Sequence, residues 1–276
     1  MKKFDERFLR QLENLRLAVR KSVRGRKEGE RSTSRRGGTS DFVAHREYSP
    51  GDDPRSIDWS LYARLGDLFV REFSREESLL LHLVVDSSSS MYIGKGGKHD
   101  LALQLAAGLG AVAWAETARV FFRDRFFETL GALLPVLEQA GAKRESPGEA
   151  LQSVTRGSKE SGMVVFLSDL WEDSLRKPLL EASSHGDIVL LHILSPEEVS
   201  PSLSGRHRLI DSENGEVVDR QVGPEELEMY QRGLETHCDE WKRWSSDHDI
   251  RYLRCISNDD WAEILTRMLR EAGLYR

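Results

Sequence analysis

Cysteine is scarce in this sequence, and long apolar runs are missing. The 276 residues include two cysteines, Cys238 and Cys255, and neither has a second ligand at metal-binding spacing. We expect both to be reduced thiols in the core. No apolar segment is long enough to cross a bilayer, and the N-terminus becomes acidic at Asp5 and Glu6, where a signal peptide becomes apolar. These features predict a cytoplasmic protein.

Several catalytic signatures are also absent. No serine lies in a Gly-x-Ser-x-Gly sequence, which argues against a serine hydrolase. His82 and His192 lie inside apolar, strand-like runs, and we expect them to be core histidines with satisfied hydrogen bonds. The loop 92–98 is rich in glycine and lysine, but His99 follows where a P-loop requires Ser or Thr. We therefore expect a flexible surface loop there.

The net charge of −6 argues against a general nucleic-acid binder, although basic residues gather near the N-terminus. In that region Phe8, Leu12, Leu15 and Val19 recur at intervals of three and four residues, which predicts an amphipathic helix with a basic face. A Gly/Ser/Arg-rich linker, 28–40, follows. Such a helix can bind anionic lipid or nucleic acid, or dock on its own acidic protein, and the pattern favours docking.

Two apolar runs end in aspartate. Leu79–Val85 is followed by Asp86 and four serines, and the run 163–168 is followed by Asp169. The first run is typical of a buried parallel strand, and further along the chain strands alternate with helices. We therefore predict a doubly wound, mostly parallel α/β sheet with helices on both faces. Sites in such sheets form at the carboxyl ends of the strands, so both aspartates should meet at one edge.

The spacing of the oxygen ligands predicts a metal site at that edge. Asp86, Ser88 and Ser90 offer one carboxylate and two hydroxyls at alternate positions, and Asp169 offers a second carboxylate. Mg²⁺ or Mn²⁺ prefers such ligands. Two carboxylates would neutralise the ion and leave a position for water or an incoming carboxylate. The alternative is a serine-rich helix-capping loop that binds no metal.

An ordered set of motifs precedes this site. The sequence contains, in turn, Arg46-x-Tyr48, Gly51-Asp52-Asp53-x-Arg55-x-Ile57-Asp58-Trp59, Ala63-Arg64 and Asp86-x-Ser88-x-Ser90-Met91. This order closely resembles the bacterial domain of unknown function 58 (DUF58) family, most densely over 37–91. The Asp-x-Ser-x-Ser turn with a later strand-terminal aspartate resembles the metal-ion-dependent adhesion site of von Willebrand factor A domains. That resemblance implies a Rossmann-like fold and a further hydroxyl ligand, for which Ser146 is the best substitute here.

The signature segment has two interpretations. Its turns should let Arg46, Arg55, Asp58 and Arg64 form an ion-pair network beside Trp59. This network either ties the segment to the sheet or presents Arg55, Asp58, Trp59 and Arg64 as a surface for partner docking. We predict three regions: a basic helix and linker (1–40), the signature segment (41–78) and a von Willebrand factor A-like domain (79–276).

Two features near the C-terminus predict structure more than chemistry. Asn214-Gly215, placed between two β-rich triplets, predicts a hairpin with a type I′ turn. Pro224 begins a helix whose apolar and aromatic stripe we expect to be core. The members of this stripe are Leu227, Tyr230, Leu234, Cys238, Trp241 and Trp244.

Together these features predict a non-enzymatic, metal-dependent protein-interaction module whose partner supplies an Asp or Glu carboxylate. The family resemblance implies that the partner is a MoxR-type AAA+ ATPase, to which this protein would be an adaptor or co-chaperone. One alternative is a Mg²⁺-dependent phosphatase or phosphotransferase of haloacid-dehalogenase-like type, but Ser88 stands where that chemistry needs a second carboxylate. The other is charge-driven binding of a membrane or nucleic acid by the N-terminal arm.

Overall fold

We analysed a computed structural model of the chain, which describes residues 4–17, 41–74, 80–94, 97–115, 118–140, 146–157 and 161–271. These residues divide into two compact units. Residues 41–74 belong to the smaller unit, and the remaining described residues belong to the larger one. The larger unit includes the N-terminal helix α1, which is helical over 6–17.

The smaller unit is a two-stranded antiparallel sheet with a helix between its strands. Strand β1 (Asp41–Glu47) pairs with β2 (Phe69–Ser74), and α2 (Trp59–Leu65) lies between them in sequence. Asp58 starts α2, because its side chain accepts hydrogen bonds from the backbone amides of Ser60 and Leu61. Gly66 ends the helix with φ of +79°, a left-handed conformation that glycine adopts without steric cost.

The larger unit alternates strands and helices. After α1 its elements are β3 (Leu80–Val85), α3 (Lys98–Ala115), β4 (Arg119–Phe122), β5 (Arg125–Phe127), α4 (Leu130–Gln139), α5 (Pro147–Gly157), β6 (Gly162–Ser168), α6 (Arg176–Ser183), β7 (Gly186–Leu194), α7 (Pro196–Val199), β8 (Gly205–Ile210), β9 (Val217–Val222), α8 (Pro224–Asp247), β10 (Arg251–Ile256) and α9 (Trp261–Glu271).

Six of these strands form one sheet, in the order β10-β7-β6-β3-β4-β5. All neighbouring pairs are parallel except β4 and β5, which are antiparallel. From β3 the chain moves first to β4 on one side and later to β6 on the other. This reversal places a crevice between the carboxyl ends of β3 and β6, which is where open α/β sheets bind ligands.

Helices cover both faces of the sheet, as the sequence predicts. One buried cluster combines alternate residues of β3, such as Leu83, with side chains of α1, α3, α4 and α9. The other contains Val84 together with residues of α5, α6 and α8. Leu83 and Val84 point to opposite faces, which explains why β3 is apolar on both faces apart from His82. The predicted mostly parallel, two-faced α/β sheet is confirmed.

The predicted N-terminal helix packs its apolar face into the core. Phe8, Leu12 and Leu15 are buried, and the Phe8 ring lies 4.7 Å from the Trp261 ring of α9. Val19, the fourth residue of that pattern, lies outside the described residues. At Gly108 of α3 a Cβ atom would come within 2.6 Å of Leu265, so this glycine permits the close approach of α3 and α9.

Two predictions near the C-terminus need correction. The hairpin β8–β9 forms, but six residues, 211–216, connect its strands and Asn214 does not have the positive φ that a type I′ turn requires. The Asp211 and Asn214 side chains accept hydrogen bonds from backbone amides of the turn and stabilise a wider turn instead. In α8, Trp241 is buried as predicted, whereas Tyr230 is exposed.

Both cysteines are free and buried, as predicted. No helix among the described residues combines the length and the apolarity that crossing a membrane requires.

Candidate functional site

Three neighbouring strands bring polar side chains to one edge of the sheet. Asp86 follows β3, Asp169 follows β6 and Ser195 follows β7. These strands are adjacent and parallel, so their carboxyl ends lie side by side. The backbone amide of Asp86 donates to the carbonyl of Leu167 at 2.9 Å, which extends the pairing of β3 and β6 into the site. The structure therefore brings Asp86 and Asp169 together.

Asp86 is 1% exposed, and its partners are neutral. One carboxylate oxygen accepts from the Ser88 backbone amide at 2.8 Å, and the other accepts from the Ser168 hydroxyl at 2.6 Å. No cation among the described residues pairs with it at these contacts. Burial, with the negative charge of Asp169 as a second cause, raises the pKa of Asp86 to about 6. The site therefore holds negative charge that Asp86's own neighbours do not neutralise.

Two of the four serines after Asp86 face the same place. The hydroxyls of Ser88 and Ser90 lie 3.0 Å apart, and the Ser90 side chain lies near enough to Asp169 to lower the pKa of that carboxyl. The predicted group of Asp86, Ser88, Ser90 and Asp169 thus converges, and all four line one cavity of about 840 Å³. These are carboxylate and hydroxyl oxygens, the ligand type that Mg²⁺ prefers.

Lys98 corrects the expectation of a surface loop at 92–98. It is the first residue of α3 and is 0% exposed. Its ammonium donates to Asp169 at 2.8 Å and to Glu198 at 2.5 Å. A buried ammonium is costly unless it is paired and hydrogen-bonded, and these two carboxylates supply both. The Lys98 ammonium therefore holds the Asp169 carboxylate in position.

Glu198 is a member of the site that sequence reasoning missed. It forms a capping box with Ser195 at the start of α7: each side chain accepts from the other's backbone amide, at 3.2 and 2.6 Å. Its second oxygen accepts from Lys98 and from the Trp171 indole nitrogen, at 3.2 Å. The Ser-x-x-Glu spacing after a strand is a readable capping signal. Ionised, Asp86, Asp169 and Glu198 with Lys98 carry three negative charges and one positive charge.

The backbone after Asp169 is strained. Leu170 has φ of +54°, a left-handed conformation that is unfavourable for leucine. The Ser168 hydroxyl accepts from the Leu170 amide at 3.0 Å, and the Leu170 carbonyl accepts from the Trp241 indole at 3.1 Å. Strain of this kind persists where surrounding contacts fix it, and it often accompanies functional sites. Here the left-handed conformation of Leu170 turns the chain sharply just after Asp169, at the end of β6.

Burial raises the pKa of Asp169, and the Lys98 ammonium partly opposes that shift.

Ser146, the predicted further hydroxyl ligand, contacts the start of helix α5 in the structure. Its hydroxyl accepts from the backbone amide of Glu149 at 3.2 Å, which caps the first turn of α5. The next residue, Pro147, lines the cavity. Ser146 therefore lies beside the site with its hydroxyl engaged by the helix.

A second missed residue reaches the site from the hairpin. One carboxylate oxygen of Glu213, in the β8–β9 turn, accepts from the Ser90 backbone amide at 2.7 Å. Glu213 also lines the cavity. Its position in a surface turn gave no signal in the sequence, because 123 residues separate it from Ser90.

The four residues predicted to dock a partner lie in the smaller unit. Trp59, in the first turn of α2, is 59% exposed, and Arg55 and Arg64 are also exposed. Asp58 pairs with His45, whose ring nitrogen lies 3.0 Å from its carboxylate. The ion pairs described in this unit therefore involve different partners from the predicted ones.

The donor set fits a hard divalent cation in type and in charge. Asp86 and Asp169 supply buried carboxylates, and Ser88 and Ser90 supply hydroxyls between them. Within the described ranges, no three His, Cys, Asp or Glu side chains are grouped so that they could hold a metal alone. A cation would therefore depend on the serine hydroxyls and on water for its remaining ligands.

Comparison with other proteins gives distant relatives. Uncharacterised proteins of Mycobacterium tuberculosis and Mycobacterium bovis are each 26% identical over 284 residues, covering 96% of this chain and 90% of the relative. Two solved structures each have a TM-score of 0.43 and 15% identity and cover 71% of this chain. They are the conserved hypothetical protein BatB from Bacteroides thetaiotaomicron and an aerotolerance-related membrane protein from Bacteroides fragilis, covered over 100% and 99% of their own lengths.

A structural similarity of this size assigns neither fold nor function to the chain. The signature motifs have a firmer counterpart. The model of the family described as "Protein of unknown function DUF58" matches residues 44–124, so the predicted resemblance to the DUF58 family is confirmed over that part of the chain.

Proposed function

We propose that this protein is a non-enzymatic, metal-dependent protein-interaction module of von Willebrand factor A type. The observation that carries the proposal is the convergence of Asp86, Ser88, Ser90 and Asp169 in one cavity at the switch point of the sheet. Asp86, Ser88 and Ser90 would hold Mg²⁺ or Mn²⁺, with Asp169 acting directly or through water. When bound, the cation supplies positive charge that attracts a partner's carboxylate.

Charge balance supports this proposal. The three ionised carboxylates and Lys98 leave two uncompensated negative charges, which a divalent cation would neutralise. Without a cation, the same charges would repel an acidic partner. Binding should therefore require both metal and a partner carboxylate.

The identity of the residue two positions after Asp86 supports the non-enzymatic part of the proposal. A haloacid-dehalogenase-like enzyme needs a carboxylate two residues after its nucleophilic aspartate, and this chain has Ser88 there. A serine hydroxyl does not ionise near neutral pH, so it cannot replace a carboxylate as the general acid or base. The Ser88 hydroxyl is instead hydrogen-bonded to Ser90.

For the partner we propose a MoxR-type AAA+ ATPase, in the cytoplasm. This rests on the DUF58 resemblance, since such proteins are typically encoded beside MoxR-type ATPases. Arg55, Asp58, Trp59 and Arg64 are proposed as an additional docking surface because Trp59 and both arginines are exposed. The exposed indole and guanidinium groups are of the types that dominate binding energy at protein interfaces.

The test is a pull-down of the neighbouring ATPase at fixed salt, with Mg²⁺ and with chelator. Chelator, or Ser88→Ala combined with Ser90→Ala, should weaken the complex at least tenfold, about 1.4 kcal/mol. Arg7→Gln combined with Arg10→Gln, which neutralises two exposed basic positions of α1 and leaves its apolar face intact, should have a smaller effect if the basic arm contributes only electrostatic attraction. The reverse order of effects would place the functional surface on the arm.

A further inference from the structure

The turn of the β8–β9 hairpin places its own carboxylate on the candidate site. Glu213 accepts a hydrogen bond from the Ser90 backbone amide at 2.7 Å, across 123 residues of sequence. The Ser90 hydroxyl also lies 3.0 Å from the Ser88 hydroxyl, and Ser90 lines the same cavity as Asp169. Glu213 therefore reaches the backbone of a residue whose side chain belongs to the candidate metal site.

The turn does not need Glu213 for its own structure. The Asp211 side chain accepts from the backbone amide of Glu213 at 2.8 Å, and the Asn214 side chain accepts from that of Glu216 at 2.7 Å. The Gly215 amide donates to the Asp211 carbonyl at 2.9 Å. Backbone and short side chains thus satisfy the turn, and the Glu213 carboxylate is available to bind elsewhere.

The β8–β9 hairpin buries few of its apolar side chains, so little packing holds it in place. Ile210 is 63% exposed and Val217 is 51% exposed, although they are paired across the two strands. Val222, at the base of β9, is buried. An element with few buried apolar side chains can move away at low cost in free energy. The hairpin therefore has a fixed base and a tip whose described link to the site is the Glu213 hydrogen bond.

We propose that Glu213 is an internal ligand of the site: it occupies the position that a partner's carboxylate would take, and a partner must displace it to bind. This deepens the proposed function and rests on it. Internal occupancy lowers the apparent affinity for an external carboxylate, because the competent state is populated only when Glu213 is released. It also prevents weak acidic ligands from occupying the site.

The experiment uses acetate as the probe and follows the backbone amide resonance of Ser90 in the full chain by NMR. Glu213→Ala is compared with wild type and with Glu216→Ala, which changes another glutamate that lines the same cavity. Acetate should shift the Ser90 resonance in Glu213→Ala at a concentration at least tenfold lower than in wild type. Glu216→Ala should behave as wild type does.

Equal acetate dependence in wild type and Glu213→Ala, or no acetate-dependent shift in Glu213→Ala, would overturn the proposal. Each titration is run with Mg²⁺ and with chelator so that failure of the proposed function can be recognised separately. If the acetate effect in Glu213→Ala survives chelator unchanged, Glu213 still competes with carboxylates and the metal-dependent function is wrong. If it needs Mg²⁺, both are supported.

Discussion

At the scale of single residues, the Lys98 ammonium determines the charge balance of the site. It is fully buried and bonded to Asp169 and Glu198. Removing one member of a buried ion pair leaves a charge without a partner in a low-dielectric environment, which is far more costly than the pair itself. Lys98 therefore has a structural role that does not depend on whether the site binds metal.

Lys98→Met keeps a long unbranched side chain and removes the ammonium. We expect it to lower the free energy of unfolding by about 3–5 kcal/mol, because Asp169 and Glu198 lose their shared cation. Lys242→Met, at an exposed position of α8, is the matched control and should change stability by less than about 0.5 kcal/mol. Urea unfolding measures both. Equal urea midpoints for the two variants would show that the Lys98 ammonium does not stabilise the fold in this way.

His82 gives a pH dependence whose sign follows from its burial. It is 1% exposed, and burial, followed by the charge of His185, lowers its pKa from 6.5 to about 4. Below pH 6.5 the unfolded chain binds a proton that folded His82 does not, so stability falls as pH falls toward 4. Among the residues that the structure describes, neither ring nitrogen of His82 has a hydrogen-bond partner, so the prediction of a satisfied core histidine is wrong for this residue.

We therefore expect His82→Leu to weaken the acid sensitivity of the protein. Between pH 7.5 and 5.5 the wild type should lose about 1.4 kcal/mol more stability than the variant, which corresponds to one pH unit below the unfolded pKa. Denaturant unfolding at the two pH values measures this difference. The exposed His248→Gln should retain the wild-type dependence, and a parallel response of wild type and His82→Leu would refute the assignment.

At the scale of elements, the cap of α2 is open to a direct test. Asp58 accepts from two backbone amides at the start of the helix. Asp58→Ala should lower the free energy of unfolding by about 1 kcal/mol, whereas Asp58→Asn should retain most of the cap. Thermal unfolding of the three proteins measures the effect. Equal losses in both variants would assign the effect to the negative charge beside His45 and would exclude the cap.

Strands and helices near the site follow from patterns that the sequence displays. The apolar run before Asp86 has no polar interruption except His82, and this fits a strand covered on both faces. The burial of Lys98 could not be predicted, because its partners Asp169 and Glu198 are 71 and 100 residues away. The hydrogen bond between Ser90 and Glu213 could not be predicted for the same reason. Local spacing identifies ligands contributed by one segment and gives no information on ligands from distant ones.

At the scale of the whole molecule, the DUF58-like segment and the mostly parallel α/β sheet were predictable. The signature motifs lie at fixed positions in one short stretch, and the alternation of strands with helices indicates a mostly parallel sheet. The partners of the ion pairs were not predictable, since Asp58 pairs with His45 and Arg46 with Asp52. Several acids and bases are close enough in sequence to pair, and only the folded chain selects among them.

The proposed lack of catalytic activity concerns the molecule as a whole. We expect the purified protein to hydrolyse neither generic phosphate esters nor nucleoside triphosphates, because no carboxylate stands two residues after Asp86. Phosphate release assays with Mg²⁺ present measure this. Turnover that disappears in Asp86→Asn would establish an enzyme, whereas turnover that survives the substitution would come from a contaminant.

The central claim is that Asp86 belongs to a divalent-cation site. The most direct test is calorimetric titration of Mg²⁺ and Mn²⁺ into wild type and Asp86→Ala at neutral pH, with Glu216→Ala as a control for another carboxylate lining the same cavity. We expect wild type and Glu216→Ala to bind one ion with similar affinity, and Asp86→Ala to lose at least tenfold in affinity, about 1.4 kcal/mol. Equal affinity of wild type and Asp86→Ala, or no binding by wild type, would contradict the account.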